Sequence, residues 1–367
     1  MNILVIGAGP CGLVSAITIK KEHPDYQVTL LEKDKTIGSR IKISGNGRCN
    51  FINKNLRKED YSSSFSEHII NYQEQVKKLF DEVGLLYYFD EQGRAYPTSE
   101  SSSTIISCFE DLLNKYDVLV KTSYQVNTIK KEAGTYIIND ELKADKLVVA
   151  IGGISYQNEK LNYNRIVSEL NVNTTSLTPS LAPISVTSFP KELENKKVKC
   201  EVSLLQKNKT IFKERGEVLF KKDGLSGIVI FNLSAYLARS HTTNFKDYEV
   251  SLNLLPDIDE QELKDLVSKN PKLDHIFIEP LANYLNSFSN PLSKIRNLNF
   301  GVRGIYEFKN SQVTSGGVAL NELNDNLSLK KDPNIFLGGE FIDLDGVCGG
   351  FNIGLAMCSG YLIGISI

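Results

Sequence analysis

The sequence predicts an α/β fold in which a discontinuous domain with a parallel sheet is interrupted by a β-barrel-like domain and a small helical domain. Three observations support this prediction. The first residues form a strand, a glycine-rich turn and a helix, and the last residues form a second such unit. The segment between them changes to alternating, β-branched residues with frequent turns. Strand-turn-helix units at both ends are typical of a parallel sheet, so the two ends are expected to share one domain.

The length of the chain supports several domains. With 367 residues, it exceeds the size at which one hydrophobic core usually stops growing. We place the first part of the discontinuous domain at residues 1–181, the β-barrel-like domain at 182–256, the helical domain at 257–311 and the second part of the discontinuous domain at 312–367. Both parts of the discontinuous domain are then needed to complete its sheet.

Composition and charge exclude several functional classes. Hydrophobic residues at 41% and charged residues at 23% are ordinary for a packed enzyme or binding protein. The formal net charge is -2 and the basic runs are short, which gives no electrostatic footprint for nucleic acid. We therefore expect a small-molecule substrate and no nucleic-acid partner.

Cysteine, histidine and hydropathy patterns bear on disulfides, metal sites and cellular location. The six cysteines form no C-x-x-C pair and the four histidines lack ligand spacing, so neither a disulfide framework nor a metal site is expected. No apolar run approaches the length of a membrane span, and the first residues lead directly into a strand without a signal sequence. We expect a cytoplasmic protein without a membrane partner. The oligomeric state has no signal in the sequence.

The N-terminal strand, turn and helix carry the first functional motif. The stretch NILVIGAGPCGLVSAITIKK places Gly7-x-Gly9-x-x-Gly12 between an apolar strand and a helix. The glycines permit a tight turn and let the backbone approach a pyrophosphate at the helix N-terminus. A second strand, YQVTLLEK, reaches Glu32 twenty positions after Gly12, where a carboxylate can accept hydrogen bonds from a ribose. Together these features predict a dinucleotide site.

The elements between the two ends follow in order. Helical spacing predicts one helix around residues 69–83 and another, after a serine-rich cap, around 105–113. Several strands follow within 118–149, and the last runs into Gly152-Gly153, where the chain is expected to pass the cofactor. In the insertion, alternating residues favour a small barrel or sandwich, and proline-punctuated helical segments come after it.

The C-terminal segment indicates which dinucleotide is bound. A short strand, Ile335–Leu337, leads through two glycines to Glu340 and Asp343, and a second glycine pair ends at Gly350 before an apolar helix. In flavoproteins with two dinucleotide-binding domains, a similar segment passes beside the flavin, and the next helix directs its N-terminus at the isoalloxazine ring. Backbone amides at a helix N-terminus favour an anionic reduced flavin. FAD is therefore favoured over NAD as the bound cofactor.

A family resemblance extends over nearly the whole chain. It rests on these blocks, in this order: SGNGRCNFIN, GRAYPTSESSS, AIGGISY, LTPSLAPI, GEVLFKKDGLSG, VTSGGVAL and LGGEFIDLDGVCGGFNIGLAMCSGYLIG. The sequence resembles the three-domain family of FAD-dependent oxidoreductases that includes aminoacetone oxidase and bacterial reductases of unsaturated 3-oxo bile acids. The blocks are far more specific than the first glycine motif alone.

The resemblance implies a Rossmann-like FAD-binding domain in two parts, with an inserted β-barrel and a helical domain. The FAD contacts that it implies are Gly7, Gly9, Gly12, Glu32, Lys33, Ser44, Gly45, Gly47, Cys49, Asn50, Gly152, Gly339, Glu340, Asp343, Gly350, Phe351, Asn352 and Gly354. The chain departs from its relatives in two places. After GGISY it has QNEKLNYNRIV, which is shorter than and unrelated to the TGSTGDGY-like stretch of the relatives. The relatives usually have a glycine and a basic pair where this chain has Gly38-Ser39-Arg40.

The loop SGNGRCNFIN is expected to lie beside the flavin. Its glycines and asparagines let backbone amides approach the flavin and pyrophosphate. Arg48 is expected to neutralise the pyrophosphate, anchor an anionic substrate or form a structural ion pair. Cys49 is expected to pack beside the cofactor, because a redox dithiol would need Cys348 as its partner. Tyr96 and Tyr156 shape the substrate space, supply a proton or are simply packed aromatic residues, and no catalytic residue is assigned.

Three functions are compatible with these features, and none uses a second G-x-G-x-x-G domain for NAD(P)H, because the sequence has none. In the first, NADH or NADPH docks transiently, and the enzyme reduces an unsaturated or carbonyl small molecule through bound FAD. In the second, a small amine or hydroxy compound reduces FAD, and oxygen reoxidises it to give hydrogen peroxide. In the third, the protein binds FAD without catalysis. We expect the first, an FAD-dependent oxidoreductase linked to NAD(P)H.

Overall fold

The computed structural model describes residues 1–156 and 160–367. The chain divides into two compact units. The first unit comprises Met1–Leu177 and Val313–Ile367, and the second comprises Thr178–Gln312. The first unit is therefore assembled from both ends of the sequence.

The helices and strands are numbered in chain order. The strands are β1 (Asn2–Ile6), β2 (Gln27–Leu31), β3 (Ile52–Asn53), β4 (Tyr87–Phe89), β5 (Arg94–Pro97), β6 (Leu119–Lys121), β7 (Ile129–Glu132), β8 (Thr135–Ile138), β9 (Leu142–Ala144), β10 (Lys146–Val149), β11 (Thr178–Ser180), β12 (Ile184–Val186), β13 (Lys197–Gln206), β14 (Lys209–Lys221), β15 (Gly224–Ser226), β16 (Tyr248–Asn253), β17 (Leu298–Ile305), β18 (Val313–Ser315), β19 (Ser328–Leu329) and β20 (Asp332–Leu337). The α-helices are α1 (Pro10–Glu22), α2 (Ser39–Ile43), α3 (Glu67–Ile70), α4 (Gln73–Asp81), α5 (Ser102–Lys115), α6 (Lys160–Leu170), α7 (Ile228–Arg239), α8 (Glu260–Lys269), α9 (Glu279–Asn286), α10 (Pro291–Arg296) and α11 (Phe351–Ser366).

The first unit is built on a six-stranded sheet with the order β19-β20-β10-β1-β2-β6. Strands β20, β10, β1, β2 and β6 run parallel, and β19 pairs antiparallel with β20 at one edge. Within β1, Ile3, Leu4, Val5 and Ile6 are all buried, as expected for a parallel strand covered on both faces. Since β20 comes from the far end of the chain, this sheet confirms the predicted α/β fold with a discontinuous domain.

Two helices from opposite ends of the sequence, α1 and α11, pack against each other. Glycines on α11 let the backbones approach closely. A Cβ atom added to Gly360 would lie 2.3 Å from the carbonyl oxygen of Cys11, and one added to Gly364 would lie 2.4 Å from Cβ of Thr18. The buried positions of α11 extend around the helix, which explains its lack of a polar face. Among the described residues, no helix is both long and apolar enough to cross a membrane.

The second unit contains a closed barrel with the strand order β12-β15-β14-β13-β16-β17. On β13, Cys200, Val202 and Leu204 are buried and alternate with more exposed neighbours. The helices α8 and α10 add Leu263 and Ile295 to the same hydrophobic core. Barrel and helices therefore share one core, and the narrower division into barrel and helical domains stays a prediction.

Candidate functional site

The predicted cofactor residues follow the carboxyl ends of four neighbouring strands. Gly7 and Gly9 follow β1, Glu32 follows β2, Gly152 follows β10 and Gly339 follows β20. In open α/β sheets, ligands bind outside the carboxyl ends of the strands. The strand order therefore brings residues from both ends of the chain to one candidate site.

The glycine turn between β1 and α1 combines two tightly packed glycines with one open glycine. A Cβ atom added to Gly7 would lie 2.5 Å from the carbonyl oxygen of Ala150, and one added to Gly12 would lie 1.9 Å from the carbonyl oxygen of Gly7. Around Gly9, no heavy atom of the described residues beyond Gly9 and its two chain neighbours lies within 4 Å of such a Cβ atom. Gly9 is the N-cap of α1, and none of the side chains that the structure describes caps the helix. The turn leaves open space at a helix N-terminus, which fits a phosphate group.

Glu32 is fixed against this turn by two backbone hydrogen bonds. Its Oε2 accepts from the amide of Ala8 at 2.7 Å, and its Oε1 accepts from the amide of Asp34 at 2.9 Å. Burial raises the pKa of Glu32, and these two hydrogen bonds only partly oppose that effect. Each carboxylate oxygen keeps capacity for a further donor, so Glu32 can also accept from a ribose hydroxyl. The neighbouring Lys33 donates to Oδ1 of Asp34 at 3.2 Å.

The loop between α2 and β3 has a left-handed backbone at several positions. The φ angle is 54° at Gly45, 56° at Asn46, 83° at Gly47 and 56° at Cys49. Glycine and asparagine adopt this region more readily than other residues. The amide of Cys49 donates to the carbonyl oxygen of Ser44 at 3.1 Å, which folds the loop back on itself.

This loop meets the N-terminus of α11. A Cβ atom added to Gly350 would lie 2.5 Å from Oδ1 of Asn50 and 2.8 Å from the carbonyl group of Ile52. The Oδ1 atom of Asn50 is buried and has no hydrogen-bond partner among the described residues. Gly350 is the N-cap with φ of 88°, and α11 begins at Phe351. An unpartnered, buried acceptor at this place fits a ligand that donates a hydrogen bond.

Glu340 follows β20 and is held by two other segments. Its Oε1 accepts from the amide of Thr314 at 2.8 Å and from the hydroxyl of Ser155 at 3.1 Å. Burial raises the pKa of Glu340, while the charge of Arg40 and these hydrogen bonds oppose the increase. A Cβ atom added to Gly153 would lie 2.2 Å from Oε1 of Glu340, so a glycine is required there. Ser155 and Thr314 were not predicted from the sequence, although each lies two positions from a glycine, in AIGGISY and VTSGGVAL.

The remaining predicted contacts differ in their surroundings. Gly152 has φ of 72° and open space where a Cβ atom would lie. Asp343 keeps a partly exposed side chain. Asn352 uses its Oδ1 within the protein, where it accepts from the amide of Gly346 at 2.8 Å. Gly354 faces β3 instead of open space, which indicates a packing role.

Arg48 forms an ion pair on the surface. Its Nη1 lies 3.3 Å from Oε2 of Glu100, and its guanidinium lies 4.7 Å from the ring centroid of Tyr96. Of the alternatives for Arg48, the structure therefore contains the ion pair. Tyr96 is buried, whereas Tyr156 is 40% exposed, with the guanidinium of Arg40 5.8 Å from its ring centroid.

A known protein family matches nearly the whole chain. The family model described as "HI0933-like protein Rossmann domain" matches residues 1–366. The chain belongs to the HI0933-like family. This match covers both parts of the discontinuous domain and the insertion between them.

Three relatives of this HI0933-like protein align over nearly their full length. One is a 3-dehydro-bile acid delta(4,6)-reductase from Clostridium scindens, 25% identical, with 99% of this chain and 98% of the relative covered. Another is a ribosomal RNA dihydrouridine synthase from Escherichia coli, 25% identical, with 98% and 96% covered. A protein of the same name from Haemophilus influenzae is 23% identical, with 99% and 98% covered.

Solved flavoenzyme structures share the fold of this HI0933-like protein. A flavocytochrome c3 fumarate reductase aligns with a TM-score of 0.52 and 14% identity, covering 100% of this chain and 77% of the other. The quinol fumarate reductase of Escherichia coli aligns with a TM-score of 0.50 and 12% identity, covering 99% and 69%. With the family match, these findings confirm the predicted class of FAD-dependent oxidoreductase.

Cys49 has the environment of a packed thiol in this HI0933-like protein. It is fully buried, and burial raises its pKa to about 12 although a hydrogen bond with Ser44 opposes the increase. Redox and nucleophilic cysteines need a thiolate, which a raised pKa disfavours near neutral pH. Cys348 is partly exposed and interacts electrostatically with both Tyr96 and Tyr156.

We predict that the Cys49→Ser variant keeps its bound flavin and changes the rates of flavin reduction and reoxidation by less than about twofold. The reason is that the Cys49 thiol of the wild-type protein stays protonated and takes no part in the reaction. Stopped-flow absorbance of the purified variant measures both rates, and Cys348→Ser is the matched control at the more exposed cysteine. A Cys49→Ser variant that keeps its flavin but no longer reoxidises it would restore the thiol mechanism.

Proposed function

We propose that this protein binds FAD at the described site and uses NADH or NADPH to reduce an unsaturated or carbonyl small molecule. The observation that carries FAD binding is the open space over Gly9 at the uncapped N-terminus of α1, beside the fixed carboxylate of Glu32. The reductase assignment rests on full-length similarity to the bile acid reductase of Clostridium scindens. The small substrate agrees with the net charge of -2.

Each part of the site has a role in this proposal. Glu32 accepts hydrogen bonds from the adenosine ribose, and the amides after Gly9 bind the pyrophosphate. The loop with Asn50 and the N-terminus of α11 at Gly350 hold the flavin. Bound FAD supplies hydride transfer between a nicotinamide and the substrate. The α11 N-terminus stabilises negative charge there by about 0.3 to 1 kcal/mol.

The proposed FAD contacts extend beyond these residues to the full set that the family resemblance implies. They include Lys33, Ser44, Gly45, Gly47, Cys49, Gly152, Gly339, Glu340, Asp343, Phe351, Asn352 and Gly354. In the full set, Gly12 acts by packing, because its added Cβ atom would lie 1.9 Å from the carbonyl oxygen of Gly7. Gly47 and Gly152 leave open space and are better placed for direct approach of a ligand.

An anaerobic visible spectrum tests the electron donor. Purified protein should show flavin absorbance that bleaches when NADH or NADPH is added. Because the sequence has no second G-x-G-x-x-G domain, the nicotinamide is expected to dock transiently and to saturate only weakly. Bleaching by a small amine or hydroxy compound instead, followed by peroxide formation in air, would favour an oxidase. Tight FAD that no donor reduces would favour a binding protein without catalysis.

A uridine in RNA is a second candidate substrate. Two relatives are named ribosomal RNA dihydrouridine synthases, and both align over at least 96% of their length. The reduced enzyme can therefore be offered ribosomal RNA and a small enone in parallel. Dihydrouridine detected by mass spectrometry, with no turnover of the enone, would replace the small-molecule proposal.

A further inference from the structure

Arg40 is a cation near the glycine turn whose guanidinium forms no ion pair or hydrogen bond with the described residues. It is the second residue of α2 and only partly exposed. The helix starts directly against the glycine turn, because the amide of Gly38 donates to the carbonyl oxygen of Ala8 at 2.9 Å. No described side chain or carbonyl accepts a hydrogen bond from its guanidinium. The Cζ atom of the guanidinium lies 5.8 Å from the ring centroid of Tyr156.

Two carboxylates interact electrostatically with Arg40, and each already has other partners. Asp34 accepts from the hydroxyl of Ser39 at 2.7 Å and from Lys33 at 3.2 Å. Its pKa is lowered, because these two residues and the charge of Arg40 outweigh the effect of burial. Glu340 accepts from Thr314 and Ser155, and Arg40 opposes the effect of burial on its pKa.

The position of these carboxylates locates the charge of Arg40. Asp34 follows β2 and Glu340 follows β20, while the glycine turn follows β1, which lies between those strands in the sheet. A cation that interacts with both carboxylates therefore lies near the carboxyl edge at the glycine turn. Its five N–H donors have no acceptor there among the described residues.

We propose that Arg40 binds the pyrophosphate of FAD, opposite the N-terminus of α1. This inference rests on the proposed FAD binding. The amides of α1 supply hydrogen bonds but only a partial charge, whereas the pyrophosphate carries two full negative charges. A guanidinium matches phosphate oxygens with two parallel hydrogen bonds.

Binding of FAD and of ADP to the apoprotein tests this role. ADP shares the adenosine and pyrophosphate of FAD but has no flavin, so it separates a phosphate contact from a contact with flavin or substrate. Arg40→Gln should lower the affinity for both FAD and ADP by about 10- to 100-fold. Arg40→Lys should lower these affinities less, because lysine keeps the positive charge and loses only the bidentate hydrogen bonding of the guanidinium. Isothermal titration calorimetry measures both affinities without any need for turnover.

Lys42→Gln is the matched control, because Lys42 lies on the same helix, carries the same charge and is exposed. It should bind FAD and ADP as the wild type does. If Arg40→Gln does not fold, the affinities of Arg40→Lys and Lys42→Gln for FAD and ADP are compared instead, and only Arg40→Lys should bind more weakly than the wild type. Wild-type affinity of both Arg40 variants for FAD and ADP would overturn the Arg40 proposal alone. A wild-type protein that binds no FAD would overturn the proposed function as well.

Discussion

Gly9→Val is expected to give a folded but colourless protein. The backbone of Gly9 is extended, with φ of -81° and ψ of -178°, so a valine fits the turn without strain. Its side chain would instead fill the open space at the N-terminus of α1. Because we place the pyrophosphate there, FAD affinity should fall by at least about 100-fold, which corresponds to ~3 kcal/mol. Flavin absorbance per polypeptide and titration of FAD into the apoprotein measure this loss.

Two substitutions at the same turn sharpen the test. Gly9→Ala adds one carbon to the open space and should reduce FAD affinity less than valine does. Gly12→Val should instead prevent folding, because its Cβ atom would lie 1.9 Å from the carbonyl oxygen of Gly7. Thermal unfolding of Gly9→Val should stay close to that of the wild-type apoprotein. A yellow Gly9→Val protein with the wild-type flavin content would remove the turn from the cofactor site.

Local patterns were sufficient to predict the strand, glycine turn and helix and the position of Glu32 beside that turn. The Gly7-x-Gly9-x-x-Gly12 spacing and Glu32 lie within two consecutive strands, so short-range geometry determines their arrangement. The structure adds the different tasks of the three glycines. Two allow close packing of backbone on backbone, and only Gly9 leaves space for a ligand.

Contacts between distant segments could not be predicted from spacing. Asn50 meets Gly350 because β20 lies beside β10 in the sheet and α11 packs on α1, and neither pairing is encoded in a local motif. The support of Glu340 by Ser155 and Thr314 has the same origin. Periodicity in the insertion likewise indicated β structure but left barrel and sandwich open, because both alternate buried and exposed residues.

Gly360→Ala is expected to destabilise the first unit by at least about 2 kcal/mol, because overpacking at a tight contact forces backbone movement. The new Cβ atom would lie 2.3 Å from the carbonyl oxygen of Cys11 and 3.1 Å from the amide nitrogen of Ser15. Both are backbone atoms of α1, so no side chain can rotate away, and the two helices must separate. Urea unfolding followed by circular dichroism measures the change.

Gly354→Ala is the matched control on the same helix. Its Cβ atom would lie 3.2 Å from Cγ1 of Ile52, a side-chain atom that can shift, and alanine favours a helix over glycine by about 1 kcal/mol. Its stability should therefore stay within about 1 kcal/mol of the wild type. Equal unfolding midpoints for Gly354→Ala and Gly360→Ala would contradict the close approach of α1 and α11. Since α1 begins at the glycine turn, Gly360→Ala should lose flavin together with stability, whereas Gly9→Val should lose flavin alone.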